Sequence, residues 1–226
     1  FERDATYPSF LATASRNPLQ HPPTSADLGL DGTGFCGIAT AGTSPRDFPA
    51  EWRDFNFVAN PITGEINTVS YNVDELGNHH FKRETDLVTC DDPMFRPVNV
   101  AFGPDGCLYI ADWYNRTISH GTTTRNLDKH ARTLGRIWRV RHKSQNPLIP
   151  PNVQESSTPQ LIDHLTSGNL WEMRAAIHQI SIRKAKFIIP SLTQLVQSSD
   201  TSDSNRIHAL WALESLGHFD ASVWKI

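Results

Sequence analysis

The stretch Arg96–Trp113, reading RPVNVAFGPDGCLYIADW, decides how the first part of the chain is read. Pro104 pre-sets φ for position i+1 of a type I turn, Asp105 suits i+2, and Gly106 accepts the positive φ of a closing bulge. Alternation puts Val98, Val100 and Phe102 on one face of a strand, and Leu108 and Ile110 on one face of the next. A hairpin is therefore expected. Working outward, further β-prone runs lie at Phe55 to Ala59, Ile66 to Val73 and Ile137 to Val140, separated by turn-forming residues. Short strands at that spacing signal a sandwich, barrel or propeller. The hairpin reads as a propeller blade.

Composition removes whole classes of function. The chain has 226 residues, 38% of them hydrophobic and 20% charged, so it can bury a core; a net charge of -3 creates no field for nucleic acid or an anionic membrane. No apolar run is long enough to span a bilayer, and the start lacks the basic-then-apolar order of a signal peptide. Beginning at Phe1 and stopping in mid-pattern at Ile226, the sequence reads as an internal piece of something longer. Cys36, Cys90 and Cys107 form no C-x-x-C pair for zinc, redox work or haem attachment, and are expected to be small buried side chains. No metal site is expected.

Glycine and proline mark a change of character. Of 13 glycines and 15 prolines, only Pro159, Gly168, Pro190 and Gly217 lie beyond Thr158. A polar stretch with Pro147, Pro150 and Pro151 precedes that point and suits an extended linker, placed at 143–157. Beyond it the apolar residues recur at three and four: Leu161, Ile162 and Leu165, then Leu170, Ala175, Ile177 and Ile180. Leu192, Leu195 and Val196, and then Leu210, Leu213 and Leu216, echo the two elements, which predicts two helical hairpins. Pro159 and Pro190 fit first turns, Thr158 can cap the first helix, and Gly168 and Gly217 suit C-terminal caps. Hairpins repeated at this period predict a HEAT-like α-solenoid over 158–226, the alternative being an ordinary helical bundle. Trp171 and Trp211 fall among aliphatic residues at helical spacing and are expected in the core.

The order FRPVNVAFGPDGCLYIADWYN from Phe95, followed by His120 and the run GRIWRV at Gly135 to Val140, resembles a bacterial family of membrane-bound dehydrogenase-like proteins. Gly34 to Gly42, FPAEW at Phe48 to Trp52 and FVAN at Phe57 to Asn60 are similar to an earlier part of the same family pattern. The resemblance implies a propeller like that of soluble quinoprotein glucose and sorbosone dehydrogenases, then HEAT repeats, then a c-type cytochrome domain outside this chain. The implied fold is a partial β-propeller of two to three blades over 1–142, followed by the solenoid. The implied activity is periplasmic or extracellular oxidation of a sugar or related alcohol, with electrons passed to a haem. Pyrroloquinoline quinone and calcium are the cofactors implied for the longer protein. Where the related strand begins R-x-R-D-V, this chain has Arg96, Val98 and Asn99, so a quinone polycarboxylate loses one bidentate anchor. The rival reading is a non-catalytic module that binds glycans or a protein partner.

Six residues are candidates for cofactor or substrate contact. By the resemblance Arg96 faces a cofactor; otherwise it makes an ion pair. Asp112, Trp113 and Tyr114 end a strand and combine a carboxylate with aromatic platforms, or else cap a turn and cover an edge. His21 and His120 are candidate acid or base groups, or surface histidines. The connection 113–134 is long for a hairpin, and from Trp113 to Lys143 eight Arg or Lys face the single acid Asp128. That rim suits an anionic ligand or an acidic partner domain, or is a solvated loop. His79 and His80, adjacent in a strand-like run, point to opposite faces. Asn115, Arg116 and Thr117 form a glycosylation triplet by pattern only. No nucleophile elbow, phosphate loop or carboxylate cluster is present in the sequence.

Overall fold

The computed structural model describes residues 30, 34–42, 44, 47–53, 55–116, 134–145 and 149–218. They divide into two compact units, one holding those before 42 together with 51–102 and 107–142, the other holding 42–50, 103–106 and 143 onward.

The first unit contains seven strands. β1 (Cys36–Thr40), β2 (Phe55–Asn60), β3 (Glu65–Val73) and β4 (His79–Arg83) form an antiparallel sheet in chain order. β5 (Pro97–Phe102), β6 (Leu108–Asp112) and β7 (Arg136–Val140) form a second. The register Phe102↔Leu108 and Val100↔Ile110 closes the hairpin, and Val100, Phe102, Leu108 and Ile110 are all buried while Asn99 and Ala101 are exposed. Pairing of Ala59 with Ile66 and of Phe57 with Thr68 gives β2 and β3 one buried face, and Phe57 meets Phe102 edge-on at 5.9 Å. Asn60 and Asn67 are buried too. Asn60 Nδ2 donates to Leu30 O and Asn67 Oδ1, while its Oδ1 accepts from the N–H groups of Ile62 and Thr63 and so shapes the β2–β3 turn. Of the cysteines only Cys107 is buried; Cys90 is exposed and Cys36 half-buried.

The second unit carries four helices: α1 (Gln160–Leu165), α2 (Leu170–Arg183), α3 (Ile189–Gln197) and α4 (Asp203–Ser215). α1 begins without a side-chain cap from Thr158; instead Gln160 Oε1 accepts from both the N–H and the hydroxyl of Ser157. Asn169 caps α2 by accepting from Glu172 N, and Ser202 caps α4 by accepting from Asn205 N. Gly217, at φ +70°, donates to Glu214 O while His218 N donates to Leu213 O, which is the paired bonding of a Schellman stop. The turn 103–106 belongs to this unit, with Gly106 N bonded to Gly103 O at 3.0 Å and Gly106 at φ +73°.

The expected partial propeller and solenoid are not what the described residues build. They form two small antiparallel sheets of four and three strands, with no closed barrel or propeller, and four helices. Strand spacing and turn chemistry specify a meander, but radial closure depends on how meanders are arranged, which neither encodes. In the helical unit Leu161, Leu165, Ile180, Leu192, Val196 and Leu213 belong to one buried cluster to which all four helices contribute. Two hairpins closing on a shared core make a helical bundle, the alternative left open by the repeat pattern. Trp171 and Trp211 are 39% and 52% exposed, against the expectation of core positions. The buried stripes run through Met173, Ala176 and Ile180 and through Ala209, Ala212, Leu213 and Leu216, so Ile180, Leu213 and Leu216 fall where the period put them while the two tryptophans flank the stripe.

Candidate functional site

β6 ends on Asp112, 3% exposed, and four donors converge on its carboxylate. Oδ1 accepts from Arg96 N at 2.9 Å and Tyr114 N at 2.8 Å. Oδ2 accepts from Arg136 Nε at 2.8 Å and Trp138 Nε1 at 3.0 Å. Strand pairing explains the convergence: Asp112 lies opposite Pro97 in β5 and Arg136 in β7, and Trp138 follows Arg136 on the same face. Burial alone would raise the Asp112 pKa, and this is the largest single influence. The bonds from Arg96, Trp138, Tyr114 and Arg136 together outweigh it and hold the carboxyl below its ordinary value.

Arg136 is clamped as firmly. Its guanidinium also donates to Asp92 Oδ2 at 3.2 Å, and its central carbon lies 3.7 Å from the Tyr114 ring centroid and 4.9 Å from that of Trp138. Desolvation works to lower its pKa, but the Asp112 and Asp92 carboxylates raise it. Tyr114 adopts φ +53°, a left-handed conformation unusual for an aromatic residue; its N–H bond to Asp112 and its stacking on Arg136 hold it there. Phe95 closes the cluster edge-on to Trp138 at 6.4 Å.

Of the six sequence candidates, Asp112 thus accepts from the main-chain N–H groups of Arg96 and Tyr114, and Trp113 lies between Asp112 and Tyr114 in the chain. Arg96 Nη1 donates to Phe95 O at 2.7 Å and Nη2 to Arg116 O at 2.9 Å, while its Nε is buried without a hydrogen-bond partner. Trp113 N donates to Arg96 O, and its side chain is 49% exposed. His21 and His120 lie outside the described residues, as does Thr117 of the glycosylation triplet, whose Asn115 is buried. His80 Nε2 lies 3.0 Å from Asp74 Oδ2 in the β3–β4 turn, away from Asp112 in the sheet order. Asp92, Arg136 and Trp138 were not among the candidates. The alternation Arg136, Trp138, Val140 could have found two of them, since it puts a cation and an indole on the face of β7 that pairs with Asp112.

Chemically, the cluster is a saturated scaffold. All four bonds to Asp112 are intramolecular, and Arg136 is held between two carboxylates and two rings. In the described residues no strand pairs with the far edge of β7, where Ile137 is 70% and Trp138 43% exposed and Leu134 and Arg139 are exposed beside them. Among the described residues no group of three or more His, Cys, Asp or Glu is placed to hold a metal ion, and no helix is long and apolar enough to cross a membrane.

Residues 12–144 match the family described as a domain of unknown function, DUF7133. The chain belongs to that family. The matched DUF7133 segment spans all seven strands and the whole Asp112 cluster, and makes up more than half of the sequence. No curated protein and no solved structure matches the chain.

Proposed function

We propose that this DUF7133 chain is a binding module whose β7 edge takes up an extended, acidic segment of a partner protein. The observation that carries the reading is the combination at β7 of an edge with which, among the described residues, no strand pairs and of large apolar side chains exposed on both faces, Ile137 on one and Trp138 on the other. Sheet edges without a partner are normally blunted by charge or cover. β4, one of the two outer strands of the other sheet, follows that rule with exposed His80 and Lys82 and a half-buried Phe81. β7 does not. An added strand would gain main-chain hydrogen bonds, with alternate side chains meeting Ile137 and Trp138. Exposed Arg116, Arg139 and Arg141 favour an acidic sequence in that strand. The Asp112 cluster supports the binding reading by fixing β7 against β6 and setting the Trp138 indole, so that little ordering entropy remains to be lost on association.

The test is fluorescence anisotropy of a labelled peptide alternating Glu and Val, titrated with the full chain at two salt concentrations. Saturable binding that weakens with salt, and weakens about tenfold or more in Trp138→Ala and in Ile137→Ala, is the expected result. Binding indifferent to both substitutions, or none, refutes the proposal. The rival that the resemblance implies, oxidation of a sugar or related alcohol, predicts instead dye reduction by the same preparation with pyrroloquinoline quinone, calcium and a sugar panel.

A further inference from the structure

The helical unit holds a second arrangement that neither the family match nor the β7 reading involves. Ser156 lies at the end of the turn before α1, His164 in the last turn of α1 and Glu172 in the first turn of α2. Ser156 Oγ is 2.8 Å from His164 Nε2, and His164 Nδ1 is 2.5 Å from Glu172 Oε1. We propose that these three side chains form a nucleophile, base and carboxylate relay, and that Ser156 accepts acyl groups from small activated esters.

The direction of the bonds follows from the chemistry of the groups. An ionised Glu172 can only accept, so His164 Nδ1 carries the proton and Nε2 presents a lone pair. The nearest hydroxyl is that of Ser156, which donates into it. This is the order of roles that defines a serine hydrolase triad irrespective of fold or chain order. The relay is held from both ends. Asn169 Oδ1 accepts from Glu172 N at 2.9 Å and fixes Glu172, 4% exposed, in the first turn of a 14-residue helix, where the dipole favours a carboxylate. Arg183 donates from Nη1 to Ser156 O at 2.7 Å and from Nη2 to Gln154 O at 2.6 Å, which clamps the turn carrying the nucleophile and sets a cation against it. The competing acceptor for the Ser156 proton is Asn152 O, at 3.1 Å and so farther than the imidazole. A purely structural bridge requires three polar groups in contact. It does not require the base to be oriented by a buried carboxylate with its free nitrogen turned to a half-buried hydroxyl.

In the reaction Ser156 Oγ attacks the ester carbonyl carbon while its proton passes to His164 Nε2. The bond to the leaving alkoxide then breaks, that oxygen takes the proton from Nε2, and an acyl-Ser156 ester remains. Water repeats the sequence, leaving the carboxylic acid and the free hydroxyl. Ser156 is half-buried beside a His164 side chain that is 16% exposed, so small acyl groups are the ones that reach its hydroxyl.

The experiment incubates the full chain with a fluorophosphonate probe, maps the modified peptide by mass spectrometry, and follows p-nitrophenyl acetate hydrolysis alongside. The expected result is labelling at Ser156, lost in Ser156→Ala, kept in Ser157→Ala, and slowed about tenfold or more in Glu172→Gln, with acetate turnover falling in parallel. Glu172 is a positioning residue, so partial rescue of the labelling rate in Glu172→Asp, whose carboxylate can still accept from His164, is the readout that a structural role would not move, and proton NMR reports the bond itself. The wild-type chain should show a strongly downfield His164 Nδ1 proton that Glu172→Gln removes. Labelling elsewhere, no labelling, or labelling at full rate in folded Glu172→Gln overturns the proposal. Should Glu172→Gln not fold, absence of the downfield proton in the wild type overturns it equally.

Discussion

Replacing Asp112 by alanine is the most demanding perturbation of the sheet β5-β6-β7. The carboxylate satisfies the main-chain N–H groups of Arg96 and Tyr114, and alanine leaves both without their acceptor. Each buried N–H left unsatisfied costs roughly 1–3 kcal/mol. Arg136 keeps Asp92 and is partly exposed, so its share is small; Trp138 Nε1, partly exposed, can turn to water. The sum is a loss of about 3 kcal/mol. With a urea slope of roughly 2 kcal/mol per molar, the unfolding midpoint of the strand unit should fall by about 1.5 M, followed by tryptophan fluorescence. Asp112→Asn should cost about 1–2 kcal/mol, since one oxygen still accepts from the two N–H groups while the amide faces two donors. The Asp112 carboxyl is held below its ordinary value, so its contribution is present above the unfolded pKa and is lost as pH falls through the folded one. The gap between wild type and Asp112→Asn should therefore be flat near neutrality and close in acid. A loss under about 1 kcal/mol for Asp112→Ala would refute the view of Asp112 as the structural knot of this sheet.

Other expectations are open to direct measurement. Gly37→Ala should destabilise by about 2 kcal/mol or more in urea, because Gly37 sits at φ +70° and an added Cβ would come within 2.4 Å of Asn99 Oδ1 and 3.0 Å of Asn99 Cα. Asn169→Ala should cost about 2–4 kcal/mol by calorimetry, since it removes the α2 cap together with the buried 2.7 Å bond from Asn169 Nδ2 to Asp47 Oδ1. Asp74 is held well below the usual carboxylate range, first by His80 and then by Asn78. The shift of the Asn78 amide signal should thus persist as pH drops past about 3.9, the unperturbed Asp value, and a transition at that value would contradict the bonding described.

The parts of the fold legible in sequence are those that local chemistry controls. G-P-D-G at Gly103 to Gly106 dictated its turn, and alternation through Val100, Phe102, Leu108 and Ile110 dictated which face is buried. The first-turn place of Pro190 and the stop at Gly217 followed from a missing donor and a permitted φ. Arrangement beyond the hairpin was not legible. A propeller and a pair of small sheets share the same strands and turns, and a solenoid and a bundle share the same helix period. Trp171 and Trp211 flank the buried stripes that contain Ile180, Leu213 and Leu216. Around Asp112, the neighbours Trp113 and Tyr114 were evident from the strand end, whereas Arg136 arrives by strand pairing across 24 positions and Asp92 through its bond to Arg136, 44 positions away. Ser156, His164 and Glu172 evaded a search for nucleophile elbows because their relation is one of packing between a turn and two helices, with no local motif.

The proposed role of β7 is to take up another strand along its outer edge. Amide hydrogen exchange of the full chain with and without a saturating acidic peptide addresses it most directly. Protection gained by the amides of Arg136–Val140, with the rest of the sheet unchanged, is the predicted result. Peptide binding that leaves those five amides exchanging as before would contradict it.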